Sequence, residues 1–218
     1  MEGAAFRATD SVKNAPASGG KVTLTAAATL ALDDLDDFAA LQSEIEEVLK
    51  ECARKAEDAI NLKHLGGRKP SKAQCDKVVE MRPGEQVVTQ AMRWGIEKHQ
   101  QARECAEERS GELIPEHFSL EQRYRYEPAT QRISLASGER AKGTLQPDIA
   151  IHSGSPLNVL AVYDFKFPCP EDNPPTWSRY PKGHPYGGRT QGEMYGRAFG
   201  CPPARVSPWW GIIRRVTW

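Results

Sequence analysis

The spacing of hydrophobic positions changes along the 218-residue chain, from helical spacing in the first half to alternation in the second. Apolar residues recur every three or four positions after Asp33, up to the Gly66–Gly67 pair, which predicts one long amphipathic helix. A short helix is predicted over 71–79 and a third over 85–109. The buried stripe of the third helix is predicted to consist of Val88, Ala91, Met92, Gly95, His99, Ala102 and Ala106.

Beyond residue 117 the pattern is that of short strands. Residues 118–127 alternate, and 132–136 are the expected partner across a turn. Residues 143–151 and 159–167 are two apolar runs joined by turn-forming residues, which predicts a β-hairpin. A Pro- and Gly-rich loop over 167–188, a helix over 190–199 and a last strand over 205–218 complete an α/β (α+β) chain.

Charge is balanced in total but unevenly distributed. The chain has 29 basic and 29 acidic residues; the first predicted helix is acidic, whereas the part beyond Gly143 is basic and suits a polyanionic substrate. No apolar run is long enough to cross a bilayer, and the N-terminus lacks a secretory signal pattern, so we expect no membrane association. The five cysteines show no CxxC spacing and are predicted to be buried thiols, although one pair could bridge in an oxidising setting.

Charged residues stand at the ends of the predicted hairpin strands. Asp148 lies at the start of the first strand, and Asp164 and Lys166 project from one face at the end of the second. The run before Asp164 is almost wholly apolar, so charges that end it are costly unless they are used. Two carboxylates and an ammonium at one place could hold Mg²⁺ beside a phosphodiester and activate water there.

Pro147-Asp148 together with Asp164-Phe165-Lys166 resembles the signature of the PD-(D/E)XK, or restriction-endonuclease-like, nucleases. The resemblance implies an αβββαβ core with a mixed central sheet flanked by helices. The small, polar residues 1–20 are expected to be a flexible lead and 21–83 an N-terminal helical accessory segment, so the nuclease domain that the resemblance implies is 84–218. The implied activity is metal-dependent hydrolysis of phosphodiester bonds in DNA.

Two further motifs are similar to those of the RecB-like branch of this family. Gly95 and His99 resemble its first motif, in which the His is a metal ligand; Glu97 is the alternative helix-borne catalytic residue, as other branches use a Glu. Gln191 and Tyr195 resemble its Gln-x-x-x-Tyr motif, which contacts the nucleic-acid backbone and orients the lysine.

The resemblance assigns each of these residues a role. Asp148, Asp164, His99 and the Phe165 carbonyl are the implied ligands of Mg²⁺ or Mn²⁺. Lys166 positions or deprotonates the attacking water and offsets charge on the transition-state oxygens. Whether one or two metals bind, and whether DNA or RNA is cut, stays open.

The second half of the chain is also similar to the restriction-endonuclease-like toxin domains of bacterial polymorphic and type VI secretion effectors. The shared residues run from Asp164 to Pro208 and include Trp177, Tyr186 and Gln191. This likeness implies an antibacterial toxin, a cognate immunity protein and a secretion apparatus or delivery module. The toxin would be cytoplasmic in the producer, leave by a signal-peptide-independent route and act in the target-cell cytoplasm. The alternative is a non-catalytic nucleic-acid-binding or protein-interaction domain that retains the fold.

Overall fold

A mixed five-stranded sheet separates two hydrophobic clusters in the computed structural model, which describes residues 35–81, 87–138 and 142–214. Side chains alternate between the two clusters along the central strands, with Ile149, Ile151 and Tyr163 on one face and Ala150 and Val162 on the other. Both faces of the central sheet are therefore covered by side chains, which agrees with the almost wholly apolar run before Asp164. The predicted lead and the residues up to 34 lie outside the described ranges.

The described residues contain four helices and nine strands. The helices are α1 (Leu35–Leu65), α2 (Lys72–Asp76), α3 (Gln90–Leu113) and α4 (Gln191–Phe199). The strands are β1 (Val78–Glu80), β2 (Val88–Thr89), β3 (Phe118–Leu120), β4 (Tyr124–Glu127), β5 (Arg132–Leu135), β6 (Ile149–His152), β7 (Val159–Phe165), β8 (Ala204–Ser207) and β9 (Gly211–Ile213).

The central sheet has the strand order β3-β6-β7-β8-β9. Neighbouring strands are antiparallel except β7 and β8, which run parallel and are connected through α4. The predicted hairpin is confirmed as β6–β7, with Ile149 opposite Tyr163, and the predicted partner strands 118–127 and 132–136 are confirmed in the β4–β5 pair. The chain is thus of mixed α and β class, as predicted.

Local capping residues account for the helices that were predicted with correct bounds. The Thr190 hydroxyl accepts a hydrogen bond from the Glu193 amide at the start of α4, and Gly200 ends that helix at φ 69°. The end of α1 before Gly66 and Gly67, both at positive φ, is likewise confirmed. These boundaries depend on neighbours in the chain, so the sequence was sufficient to find them.

Two predicted helices have different bounds in the structure. The helix predicted over 71–79 ends at Asp76, because the β-branched Val78 and Val79 belong to β1, in which Val78 and Glu80 pair with β2. The helix predicted over 85–109 begins at Gln90, where the Thr89 side chain caps the Met92 amide, and it continues to Leu113.

Two predicted strands are each divided in the structure. The strand over 118–127 is interrupted at Glu121, which has φ 47°, so β3 joins the central sheet while β4 pairs with β5. The last predicted strand, 205–218, folds back at a turn over 208–210 and Gly211 (φ 65°) to form the β8–β9 hairpin. Residues 215–218 lie outside the described ranges.

The buried stripe of α3 differs from the predicted one. Met92 is exposed and His99 is only partly buried. The buried residues of α3 are instead Trp94, Lys98, Ala102, Ala106 and Ser110. The stripe is shifted because α3 packs along α1, with which it shares a hydrophobic cluster and a buried ion pair.

That ion pair joins Lys98 of α3 to Glu57 of α1. The Lys98 Nζ lies 2.8 Å from Glu57 Oε1, and both residues are 1% exposed. Asn61 donates a second hydrogen bond, of 2.9 Å, to the same oxygen. Charged groups are rarely buried unless they are paired, so each partner is compatible with the core only while the other is present.

We expect Lys98→Met to lower the free energy of unfolding by about 3–5 kcal/mol, because it leaves the Glu57 carboxylate buried without its cation. The double variant with Glu57→Gln is expected to recover part of that loss. Urea unfolding followed by circular dichroism measures both. Lys55→Met, which breaks the exposed pair with Glu51, is the control and should cost less than about 1 kcal/mol. Equal, small losses for the two lysines would contradict the assignment.

The cysteines form two disulfide bonds, which corrects the prediction that they are buried thiols. Cys52 of α1 is bonded to Cys105 of α3, and Cys75 of α2 to Cys169, with Cα–Cα distances of 5.5 Å and 5.7 Å. Cys201 is free. The partners are 53 and 94 residues apart in sequence, so only the packing of α1 on α3, and of α2 near the loop after β7, reveals the pairing.

Protein purified without reductant is therefore expected to show one reactive thiol per chain after denaturation, against five after full reduction. Thiol titration with a chromogenic disulfide reagent gives both counts. Peptide mapping should then recover Cys52 linked to Cys105 and Cys75 linked to Cys169. Five reactive thiols before reduction, or peptides that link other pairs, would contradict the assignment.

Candidate active site

Asp148 and Asp164 are held together at one end of the β6–β7 hairpin. The Phe165 amide donates a 2.7 Å hydrogen bond to Asp148 Oδ2, and the Asp148 amide donates one of 3.3 Å to Asp164 Oδ1. Each strand thus presents a backbone amide to a carboxylate at the junction. The antiparallel register of Ile149 opposite Tyr163 places the two residues within reach of each other.

Lys166 lies beside Asp164, on the face of β7 that was predicted. Its Nζ forms an ion pair with Asp164 Oδ2 and donates a 3.2 Å hydrogen bond to Gln191 Oε1. Gln191 is the first residue of α4, whose start is fixed by the Thr190 cap. The structure therefore brings Lys166, Asp164 and Gln191 together, although only 15% of the Lys166 side chain is exposed.

His99 approaches the same carboxylates from α3. Its Nδ1 lies 3.3 Å from Asp148 Oδ2, and its ring meets the ring of Phe167 edge to face at a centroid distance of 5.2 Å. The His99 side chain is 40% exposed, so it borders the solvent-facing side of the cluster. We name Asp148, Asp164, Lys166 and His99 the carboxylate cluster.

Tyr195 closes the cluster from the buried side. It is 1% exposed, and its hydroxyl donates a 2.8 Å hydrogen bond to the Gln146 carbonyl and lies 3.5 Å from Asp164 Oδ1. Burial, reinforced by the negative charge of Asp164, raises the pKa of Tyr195 well above its ordinary value. The phenol is therefore a neutral hydrogen-bond donor that supports the loop before β6.

Two of the predicted site residues occupy other environments. Glu97 lies on a different side of α3, where it contacts Lys63 at 2.7 Å and His64 at 3.0 Å, both from α1; the hydrogen bond from Lys63 is the main reason that its pKa is lowered. The structure does not bring Glu97 to the carboxylate cluster. Phe165 contributes its amide to Asp148, while its side chain is buried against α1 and α3.

Burial makes the charged form of the Asp164 carboxyl less favourable than it would be in water. Asp164 is 3% exposed, and burial raises the pKa of its carboxyl to about 6, with the nearby charge of Asp148 acting in the same direction. Lys166 and His99 act against this increase. Asp164 is thus a buried acidic group with a second, half-buried one, Asp148, beside it, and a cation in contact with both would offset their repulsion.

The donor atoms of the cluster are of the kinds that Mg²⁺ or Mn²⁺ accepts, namely carboxylate oxygens and an imidazole nitrogen. Across the described ranges, however, no group of three His, Cys, Asp or Glu side chains is arranged to hold a metal ion. The oxygens of Asp148 and Asp164 contact Lys166, the Phe165 amide and His99 instead. The residue types therefore fit a divalent cation, while their contacts in this structure are with protein groups.

Trp177, Gly192 and Arg205 are neighbours of the cluster that the sequence analysis did not assign to the site. The Lys166 Nζ and the Arg205 guanidinium each lie 5.5 Å from the centre of the Trp177 ring, a cation–π arrangement. Arg205 is the register partner of Asp164 on β8 and donates a 2.6 Å hydrogen bond to the Pro175 carbonyl. Their positions within the Asp164–Pro208 stretch that resembles the toxin domains were the available signal.

A separate cleft of about 790 Å³ lies between the β3–β4 connection and the loop around Gly143. Its lining includes Gln122, Arg123, Lys142 and His184. None of the predicted site residues lines it. The carboxylate cluster is therefore a site at the end of the sheet and does not lie in this cleft.

Comparison with known proteins gives no relative for this chain: no family model, no curated protein and no solved structure matches it. The family resemblance consequently remains a prediction from the motif residues. Among the described helices, none combines the length and the apolar character needed to cross a membrane.

The packing of Trp177 on α4 predicts opposite effects for two identical substitutions in that helix. A Cβ at Gly192 would lie 2.6 Å from the Trp177 ring, so Gly192→Ala should lower the free energy of unfolding by about 1–3 kcal/mol. A Cβ at Gly196 would meet only Pro203, at 3.7 Å, so Gly196→Ala should raise it by about 0.5–1 kcal/mol. Thermal denaturation of both variants measures the difference. Effects of the same sign and size would show that Trp177 does not pack there.

Proposed function

We propose that this chain is a metal-dependent nuclease of the PD-(D/E)XK type that hydrolyses phosphodiester bonds in DNA. The observation that carries the proposal is the convergence of Asp148, Asp164 and Lys166 at the end of one hairpin. His99 and Gln191 reach the same place from two different helices. The β6–β7 hairpin and the two helices α3 and α4 thus supply these residues, whereas Glu97 lies elsewhere.

The order of elements supports the proposal. The β4–β5 pair, between β3 and β6 in the sequence, forms a separate sheet. With that pair set aside, α3, β3, β6, β7, α4 and β8 follow the αβββαβ order of the restriction-endonuclease-like core, and β7 and β8 are parallel neighbours. The lysine and both carboxylates lie where β6 begins and β7 ends, next to the first turn of α4. We infer that this arrangement is the family core.

Asp148, Asp164 and His99 are the residues that would hold Mg²⁺ or Mn²⁺. When bound, the ion supplies Lewis-acid polarisation of the phosphate and lowers the pKa of bound water. Of the two helix-borne alternatives, the structure favours His99, because its imidazole lies 3.3 Å from Asp148 whereas Glu97 contacts α1. The Phe165 carbonyl remains an expectation from the resemblance.

Lys166 would supply the positive charge at the phosphate. Its ammonium is directed by Asp164 and by Gln191, which reduces the orientations it can take. A pre-oriented cation stabilises charge that develops on the transition-state oxygens more than a freely moving one. The hydrogen bond from Tyr195 to the Gln146 carbonyl holds the loop before β6, and thereby positions Asp148.

The biological setting rests on the resemblance alone. A toxin role, an immunity protein, a delivery module and action in a target-cell cytoplasm remain predictions from the motifs in the second half of the chain. The cluster supports hydrolysis of a phosphodiester, and it carries no information on delivery.

A cleavage assay on plasmid DNA with Mg²⁺ or Mn²⁺ tests the activity. We expect wild-type protein to cut and EDTA to stop it. Asp164→Asn should lose cleavage because it removes a metal-holding carboxylate, and Lys166→Met should lower the rate by about 10²–10³-fold. Asp58→Asn and Lys55→Met, both at exposed positions on α1, are the matched controls and should cut at the wild-type rate.

Retained cleavage in Asp164→Asn, or equal loss in both lysine variants, would contradict the assignment of the cluster. The alternative of a non-catalytic domain has one observation in its favour, which is that the oxygens of both carboxylates already contact protein groups. Folded wild-type protein that binds DNA or another protein but cuts neither DNA nor RNA with either metal would support it.

A further inference from the structure

Two adjacent tryptophans, Trp209 and Trp210, are exposed at the turn between β8 and β9. Each is 47% exposed, although large aromatic side chains are usually covered. The preceding β8 residues and Pro208 are buried, so the exposure is confined to the tip of the turn. We call these two side chains the tryptophan pair.

Both rings are held in place by polar contacts. The Lys69 Nζ lies 4.5 Å from the centre of the Trp209 ring, and the Trp210 Nε1 donates a 3.2 Å hydrogen bond to the Glu171 carbonyl. Lys69 and Glu171 also form an ion pair with each other. The tryptophan pair is thus pre-positioned, and little side-chain freedom would be lost when a ligand stacks on it.

The tryptophan pair lies at the same end of the sheet as the carboxylate cluster. β7 and β8 are parallel, and the Lys166 amide donates a 2.8 Å hydrogen bond to the Val206 carbonyl. Trp209 follows Val206 by three residues, so the Trp209 Cα lies within about 10 Å of the Val206 Cα, and within about 15 Å of the Lys166 backbone once the spacing between strands is added. That span corresponds to about four nucleotides of one strand, with bases about 3.4 Å apart.

We propose that the tryptophan pair is a stacking surface for unpaired bases of the substrate strand, so that the preferred substrate is single-stranded or frayed DNA. This inference rests on the proposed nuclease function. Flat, exposed indole rings stack on any base. Phosphates are a poorer match, because the charge of Lys69 is already neutralised by Glu171. In a duplex the flat faces of the bases are covered by neighbouring base pairs, so the indole rings have no base surface on which to stack.

The test is binding of fluorescein-labelled oligothymidylate, and of its duplex with oligoadenylate, followed by fluorescence anisotropy. The full chain carries Asp164→Asn in every sample, so that binding is measured without cleavage. We expect the single strand to bind more tightly than the duplex. Trp209→Ala and Trp210→Ala should each weaken single-strand binding by about tenfold, whereas Trp→Phe at both positions should retain most of it.

Leu157→Ala is the matched control, because Leu157 is an exposed apolar residue at the opposite end of β7. It should bind like the parent, and thermal denaturation checks that all variants are folded.

Three outcomes overturn the inference: unchanged binding after loss of both tryptophans, equal binding of single strand and duplex, or no binding of either. Tryptophan-dependent binding by a chain whose wild-type form cuts no nucleic acid refutes the nuclease proposal alone. Cleavage with tryptophan-independent binding refutes the stacking surface alone.

Discussion

Two hydrogen bonds from backbone amides to carboxylates, across the β6–β7 junction, fix the positions of the acidic groups on which the site depends. The Phe165 amide contacts the Asp148 carboxylate, and the Asp148 amide contacts the Asp164 carboxylate. Because the backbones at this junction are fixed by the pairing of β6 with β7, the two carboxylates can move apart only by breaking these hydrogen bonds. They are therefore kept close despite their mutual repulsion, with Asp164 buried and Asp148 half-buried. The Lys166 ammonium supplies positive charge beside Asp164, and the His99 ring contacts Asp148 from the solvent-facing side.

The two faces of the sheet contribute to the site through different kinds of packing. On one face, α1 and α3 are joined by the Lys98–Glu57 pair and the Cys52–Cys105 bond, which hold the helix that carries His99. On the other, α4 packs against Trp177 through Gly192 and carries Gln191 to Lys166. The acidic first helix, to which no motif assigned a role, shares the hydrophobic cluster of α3 and the central sheet.

Features set by neighbouring residues could be predicted from the sequence, and features set by distant contacts could not. The hairpin, the cap and end of α4, and the shared face of Asp164 and Lys166 depend on turn residues and alternation. The stripe of α3 was wrong because a buried lysine looks polar until its partner, 41 residues away in sequence, is known. The disulfide partners and the roles of Trp177 and Arg205 were missed for the same reason.

A crystal structure of the chain soaked in Mn²⁺ shows directly whether the carboxylate cluster holds a divalent cation, as we propose. Mn²⁺ is identified by its anomalous scattering, independently of any activity. We expect an anomalous peak in contact with oxygens of Asp148 and Asp164 and with the His99 imidazole. An ordered site without such a peak, with Lys166 still paired to Asp164 at saturating Mn²⁺, would contradict the proposal.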